Sequence, residues 1–353
     1  MFRLRRTLLT ATIAVAAVAA LGATTACSTS DNSSTSGPAA AGFPVTIEHV
    51  HGATEIPAKP QRVVTLGWMA EDVVAALGTA PVGVPKSWAG DDQGYAPWFR
   101  DQVQNVLRQD LPAVLKEGEE PDYEQILQLD PDLILAPHSG VTENQYKRLS
   151  AIAPTVAYPE RAWRSGTWQD LTGVVATALG EKARGDELIT QTQNQITAAS
   201  DAHPEMKGKS FLYGVALSPG STELGVYAAG DSRVAFIREF GLVDSPDLAQ
   251  ALGKIGSDEV YGGTSLENLG DIASDLFIGW SSSTQETQDT LKDPKFSRWT
   301  PIVDGNYLFL ESRQMGMATN APSPLSIPWA IDHGFVRELA SAVSGGRVVV
   351  PAP

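Results

Sequence analysis

The chain is poor in the residues that hold metals. It has one cysteine and five histidines in 353 residues. A single cysteine, Cys27, excludes an internal disulfide framework and every multi-thiolate zinc or iron–sulfur site. Positive charge is scarce too: 26 lysines and arginines face 41 aspartates and glutamates, for a formal charge of −15. That balance argues against a nucleic-acid backbone as partner. Catalytic signatures are missing as well. There is no G-x-S-x-G elbow, since Gly279-Trp280-Ser281 lacks the second glycine, and no P-loop or dinucleotide-binding pattern. Without a visible nucleophile–base pair, a cleft hydrolase is the weakest functional reading, and the chain reads as a non-enzyme. His49 and His51 beside Glu48 have the look of a metal site, but alternation along an early strand explains them better.

Long apolar runs are confined to the start. Arg3, Arg5 and Arg6 precede an apolar stretch from Leu8 to about Ala20, the layout of an export signal that is cleaved within residues 1–26. Past it, no segment is apolar enough to cross a bilayer, which takes about 20 residues. Cys27 follows Thr24-Thr25-Ala26 and resembles the lipobox cysteine of bacterial lipoproteins, although Thr24 stands where that motif has leucine. The Ser/Thr/Gly/Ala-rich stretch behind it makes 27–44 a flexible tether that holds the body roughly 20 Å from the lipid. The expectation is a protein on the extracytoplasmic face of the membrane, lipid-anchored at Cys27.

What remains is long enough for two domains at about 100 to 200 residues each, and 42% apolar residues suffice for large cores. Short β-rich runs alternate with helical patterns, the signature of parallel α/β structure. Strands are expected at 62–66, 82–84, 132–136 and 155–158, with helices at 71–77, 123–129 and 142–149; Thr142 and Gln145 stand at capping-box spacing. This makes an N-terminal lobe over 45–166. A connecting helical region follows at 167–204, with one helix of about 33 Å from 181 to 202. A C-terminal lobe over 205–353 has strands at 210–215, 226–227, 275–278 and 307–311, and helices at 233–240 and 326–343. The expected fold class is α/β, with two Rossmann-like lobes joined by one long helix and a ligand cleft between them.

An internal repeat supports the two-lobe reading. PDYEQILQLDPDLILA at 121–136 aligns with TSLENLGDIASDLFIG at 264–279, pairing Glu124 with Glu267 and Asp132 with Asp275. Together with EIPAKPQRVVTLGWMAEDVVAALG at 55–78, APVGV at 80–84, the run from 121 to 159 and SPLSIPWAID at 323–332, these segments resemble helical-backbone (class III) solute-binding proteins. Such proteins serve ABC uptake systems for iron–siderophores, haem and cobalamin, and the likeness is greatest to the actinobacterial ferric-siderophore branch. The resemblance implies a monomeric receptor without a cofactor, which takes a ferric siderophore and delivers it to permease subunits with their ATPase. It also implies that Glu124 and Glu267 dock on arginine pockets of the two permease subunits; the plainer alternative is that a first-turn acid complements the helix dipole.

Ferric iron in a siderophore is already wrapped in oxygen donors, so its receptor needs aromatic wall and guanidinium groups instead of metal ligands. Ligands of open α/β sheets bind beyond the carboxyl ends of the strands. That rule selects Trp68, Trp88, His138, Ser139, Arg161 and Trp163 in the first lobe, and Arg233, Trp280, Arg313 and Met315 in the second. Tyr95 and Trp98, in the aromatic loop WAGDDQGYAPWFR, are expected at the cleft edge. Arg233 has a plainer alternative, an ion pair with Asp231. Haem is the competing ligand, with Tyr95, His138 or Met315 as axial donor. A cobalamin-type ligand belongs to the same alternative.

Overall fold

The computed structural model describes residues 42–163, 166–253, 255 and 259–351. The expected signal segment, Cys27 and the tether up to residue 41 lie outside them. No helix of the described residues is long and apolar enough to cross a membrane.

The described chain opens with an antiparallel hairpin of β1 (Val45–His49) and β2 (Gly52–Ile56). A five-stranded sheet follows, built of β3 (Val63–Thr65), β4 (Gly83–Val84), β5 (Ala113–Val114), β6 (Leu133–Leu135) and β7 (Thr155–Val156). Its order is β5-β4-β3-β6-β7 and every pairing is parallel. Val-Val-Thr and Leu-Ile-Leu are buried throughout, as strands covered on both faces must be. The helix Glu143–Ser150 starts at Thr142, and the capping box with Gln145 is formed.

The second sheet holds β8 (Ser210–Val215), β9 (Glu223–Tyr227), β10 (Val243–Asp244), β11 (Tyr261–Ser265), β12 (Leu276–Trp280), β13 (Tyr307–Leu310) and β14 (Val348–Val350). The order is β11-β9-β8-β12-β13-β14, with β10 beside β8. It is not purely parallel, contrary to the alternation read from the sequence: β9 runs antiparallel to both β8 and β11. The reason is the short link at 216–222, since a parallel return needs a crossover of a dozen residues or more.

The connecting region holds two helices, Trp168–Ala178 and Lys182–Asp201, the second over the span expected at 181–202. Gly180, at φ 67°, breaks them apart. They pack on one another, and a Cβ at Gly185 would stand 2.3 Å from the Ala176 Cβ, so only glycine lets them cross this closely. The longer helix, about 30 Å at 1.5 Å per residue, also packs against the helix Ser326–Asp332 of the second lobe. The final helix is likewise split, into Ser326–Asp332 and Phe335–Val343, by Gly334 at φ 87°.

The repeat has a physical basis. Its first copy is the helix Tyr123–Gln128 and β6, its second a 3₁₀ segment Leu266–Asp271 and β12. The aligned aspartates do the same work in each lobe. Asp132 accepts the backbone N–H groups of Gln61 (2.7 Å) and Arg62 (2.9 Å) just before β3. Asp275 accepts from the N–H (2.8 Å) and Oγ–H (2.9 Å) of Ser210, at the start of β8.

Candidate functional site

The loops after β3, β6 and β7 meet above the first sheet. Gly67, at φ 82°, turns the chain so tightly that a Cβ there would lie 2.2 Å from the His138 carbonyl oxygen. That closeness lets Trp68 N–H donate to the same carbonyl at 3.0 Å. Trp163 N–H donates to Ser139 O, also at 3.0 Å, and its indole lies over Gly140, where a Cβ would be 2.5 Å from Nε1. Three rings converge as a result. Trp68 and Trp163 are 5.2 Å apart, and the His138 imidazole stacks on Trp68 at 6.0 Å and meets Trp163 edge-on at 5.8 Å. Beside them a cavity of about 460 Å³ is lined by Leu66, Trp68, Lys86, Leu115, Ser139 and Trp163, all of the first lobe. Glu117, Glu119 and Glu120 also line it. The Ser139 hydroxyl donates to Ala136 O at 2.8 Å and so holds the loop after β6.

From the second lobe comes Arg233. Its guanidinium donates to Asp231 at 2.8 Å and lies 4.2 Å from the Tyr227 ring, while its Nε is buried without a partner. The ion pair weighed from the sequence is therefore real, but it occupies only part of the guanidinium. Tyr227 was not singled out in the sequence, although it ends a strand that was. His138 Nδ1 is also buried without a partner. Burial chiefly, and then the Arg233 charge, pushes the His138 pKa down to about 4, so the imidazole is neutral at ordinary pH.

A second aromatic contact joins the lobes: Trp88 meets Trp280 at 4.8 Å, with the Arg313 guanidinium 5.9 Å from the Trp88 ring. Gly316 makes room for it, since a Cβ there would stand 2.6 Å from the Trp280 indole. Arg161 is exposed on the turn after β7.

Three expected contacts are not on an open wall. The segment WAGDDQGYAPWFR is not a loose loop. Ser87 and Gly94 pair across a turn, and the chain then enters the helix Pro97–Asp101. Tyr95 is turned inward, its hydroxyl donating to Pro112 O at 2.6 Å and its ring stacked on Phe99. Trp98 Nε1 donates to Asp72 at 2.7 Å. Met315 is buried in a hydrophobic core that both lobes share. Neither Tyr95 nor Met315 is disposed to reach a haem iron, and the Nδ1 of His138 is buried without a partner among the indoles. His49 bonds Thr54 Oγ1 (2.9 Å) across the hairpin, and His51 bonds Val141 O (2.8 Å) in the loop after β6. Among the described residues no group of three or more His, Cys, Asp or Glu is placed to hold a metal ion.

Neutral His138 has a measurable consequence. Its folded-state pKa of about 4 lies below the ordinary value near 6.5, so the unfolded chain binds the extra proton between these limits. The stability it contributes is full above about pH 6.5 and is lost as pH falls toward 4. Denaturant midpoints measured across this range are expected to fall less steeply with acid in His138→Gln than in the wild-type protein.

Two α/β lobes with parallel central strands, and an aromatic wall on one beside a cation from the other, are the architecture of a solute-binding protein. The chain belongs to the periplasmic binding protein family, whose pattern matches residues 63–293; members bind substrates for transport and are not enzymes. Over 278 residues it is 27% identical to the probable siderophore-binding lipoprotein YfiY of Bacillus subtilis, covering 76% of this chain and 78% of that one. PiaA of Streptococcus pneumoniae, crystallised in complex with ferrichrome, superposes with a TM-score of 0.76 at 28% identity, covering 85% of this chain and 99% of PiaA. A periplasmic solute-binding protein of Mycobacterium smegmatis superposes with a TM-score of 0.69 at 27% identity, over 85% and 98% of the two chains.

Proposed function

We propose that this protein captures a ferric siderophore between its lobes and hands it to an ABC permease with its ATPase, acting as a monomer tethered through lipid on Cys27. The observation that carries the reading is the pairing of Trp68, His138 and Trp163 on one lobe with Arg233 on the other. His138 Nδ1 and Arg233 Nε are buried and unpartnered. An organic shell can stack on the indoles while its oxygen atoms accept from the guanidinium, and the iron keeps its own donors. Ser139 shapes the same wall, and Trp88, Trp280, Arg313 and Arg161 extend it. Relatives and structural neighbours named for siderophores support the reading.

Glu124 and Glu267 suit the permease role. Each is exposed near the start of its repeat helix. Glu267 is held by Lys295 at 2.7 Å, whereas no ion pair engages Glu124 among the described residues.

The test is a fluorescence titration of purified protein with ferric siderophores of hydroxamate and carboxylate type, and with haemin. Quenching at sub-micromolar concentration is expected for a ferric siderophore. Trp163→Ala is expected to weaken it about tenfold, the loss of roughly 1.4 kcal/mol for one well-stacked ring. Haemin binding with a Soret shift, and no response to any ferric siderophore, would reject the proposal.

A further inference from the structure

The helix Ala70–Ala76 begins with two adjacent acids turned into protein. Asp72 Oδ2 accepts from Trp98 Nε1–H at 2.7 Å and from the hydroxyl of Ser323 at 2.6 Å. Ser323 belongs to the second lobe. Its Oγ also accepts the backbone N–H groups of Leu325 (3.2 Å) and Ser326 (3.0 Å), so the bond ties the first lobe to the start of the helix Ser326–Asp332. Trp98 meets Trp329 of that helix at 5.1 Å. Asp72 Oδ1 and Glu71 Oε2 are buried with no partner, while the Glu71 carboxylate also accepts from the backbone N–H groups of Met69 and of Glu71 itself.

No cation reaches the pair. The elements packed on this helix are Trp168–Ala178, Pro97–Asp101 and the wide-turn segment Gln102–Val106. Their charged groups are committed elsewhere: Asp170 caps Thr167, Arg100 binds Asp91 and Gln93, and Asp101 accepts from Asn105. Arg184 donates to Leu77 O at the opposite end of the helix, and Asp332 lies at the far end of Ser326–Asp332. Two neighbouring carboxyl groups with unpaired oxygens and no counter-ion are costly to ionise together in such surroundings, so one of them holds its proton to a higher pH.

We propose that docking of the two lobes at Asp72–Ser323 carries one proton on the Glu71–Asp72 pair, so that acid tightens the contact and alkali loosens it. Burial raises both groups, Asp72 to about 7. When the lobes part, the pair meets water and titrates in the ordinary carboxylate range near 4. Between these values docking takes up a proton. The equilibrium therefore moves toward separation by up to about tenfold per pH unit as pH rises, and is flat above about 7. This coupling does not depend on what the cleft binds.

The test uses ¹⁵N-tryptophan-labelled protein without ligand. The Trp98 indole N–H signal is expected to shift with a midpoint near 7, and protection of the amides in Ser326–Asp332, corrected for the intrinsic pH dependence of exchange, to fall as pH rises toward 7 and then level off. Asp72→Asn keeps an acceptor for both donors and binds no proton, so both changes should vanish. Ser323→Ala keeps the acid pair and cuts the tie; the indole is then expected to titrate while the helix protection no longer follows it. A Trp98 signal that stays flat from about pH 5 to about 8.5, or an unchanged midpoint in Asp72→Asn, overturns the proposal.

Discussion

Changing Glu124 and Glu267 together to alanine is expected to abolish siderophore-dependent iron uptake by cells and to leave the ferric-siderophore affinity of the purified protein unchanged. Both side chains are exposed and neither lines the cavity at Trp68 and Trp163, so capture does not use them. A carboxylate desolvated against a cation at an interface is worth about 2–5 kcal/mol on truncation. Losing two such contacts weakens docking by about a thousandfold even at the lower bound, at about 1.4 kcal/mol per tenfold. The single variants should differ. Glu267 must first leave Lys295, a half-exposed pair of the kind worth at most about 1 kcal/mol, so Glu124→Ala should be the more damaging. Radiolabelled iron uptake beside a fluorescence titration separates the outcomes. Normal uptake by the double variant would assign the two acids to their helix termini alone.

Gly67→Ala is expected to destabilise the fold by at least about 2 kcal/mol and to reduce ligand affinity by more than tenfold. Positive φ costs a non-glycine residue roughly 1–3 kcal/mol, and the added methyl would press on the backbone oxygen of His138 at 2.2 Å. A carbonyl in a buried loop cannot swing aside as a surface side chain can. Relief would have to separate the loops after β3 and β6, breaking the Trp68 N–H bond to His138 O and moving Trp68 from its stacking partner. Denaturant unfolding and ligand titration of the same variant check both parts. Gly208→Ala, whose Cβ would meet nothing within 4 Å at φ 75°, serves as a control for backbone strain without the clash.

How far the sequence reached depended on whether a feature is local. Runs such as Leu133-Ile134-Leu135 and Phe211-Leu212-Tyr213 are buried strands, and the Thr142–Gln145 box starts a helix as its spacing indicates. The break at Gly334 was harder, because helical periodicity continues across it while only φ reveals the turn. The reversal of β9 was hidden in the brevity of the link at 216–222. At the site, the strand-end rule brought Trp68, His138 and Trp163 to one wall, since those positions follow directly from where strands stop. It failed for Met315, which is buried, and the aromatic loop does not present Tyr95 and Trp98 openly, because their hydroxyl and indole nitrogen find buried acceptors in Pro112 and Asp72. Partners so distant along the chain leave no periodic trace, and Asp72 with Ser323 was invisible for the same reason.

The Asp72–Ser323 bond spans 251 positions, which sets an order of events during synthesis. The strands β3 to β7 are all made before residue 157, so the first lobe has its whole sheet while the ribosome still owes the chain its last half. Until Ser323 emerges, the acid that ends up between the lobes lacks one of its two donors. A product truncated ahead of that serine has every strand of the first sheet in its sequence but lacks the clasp that closes the molecule.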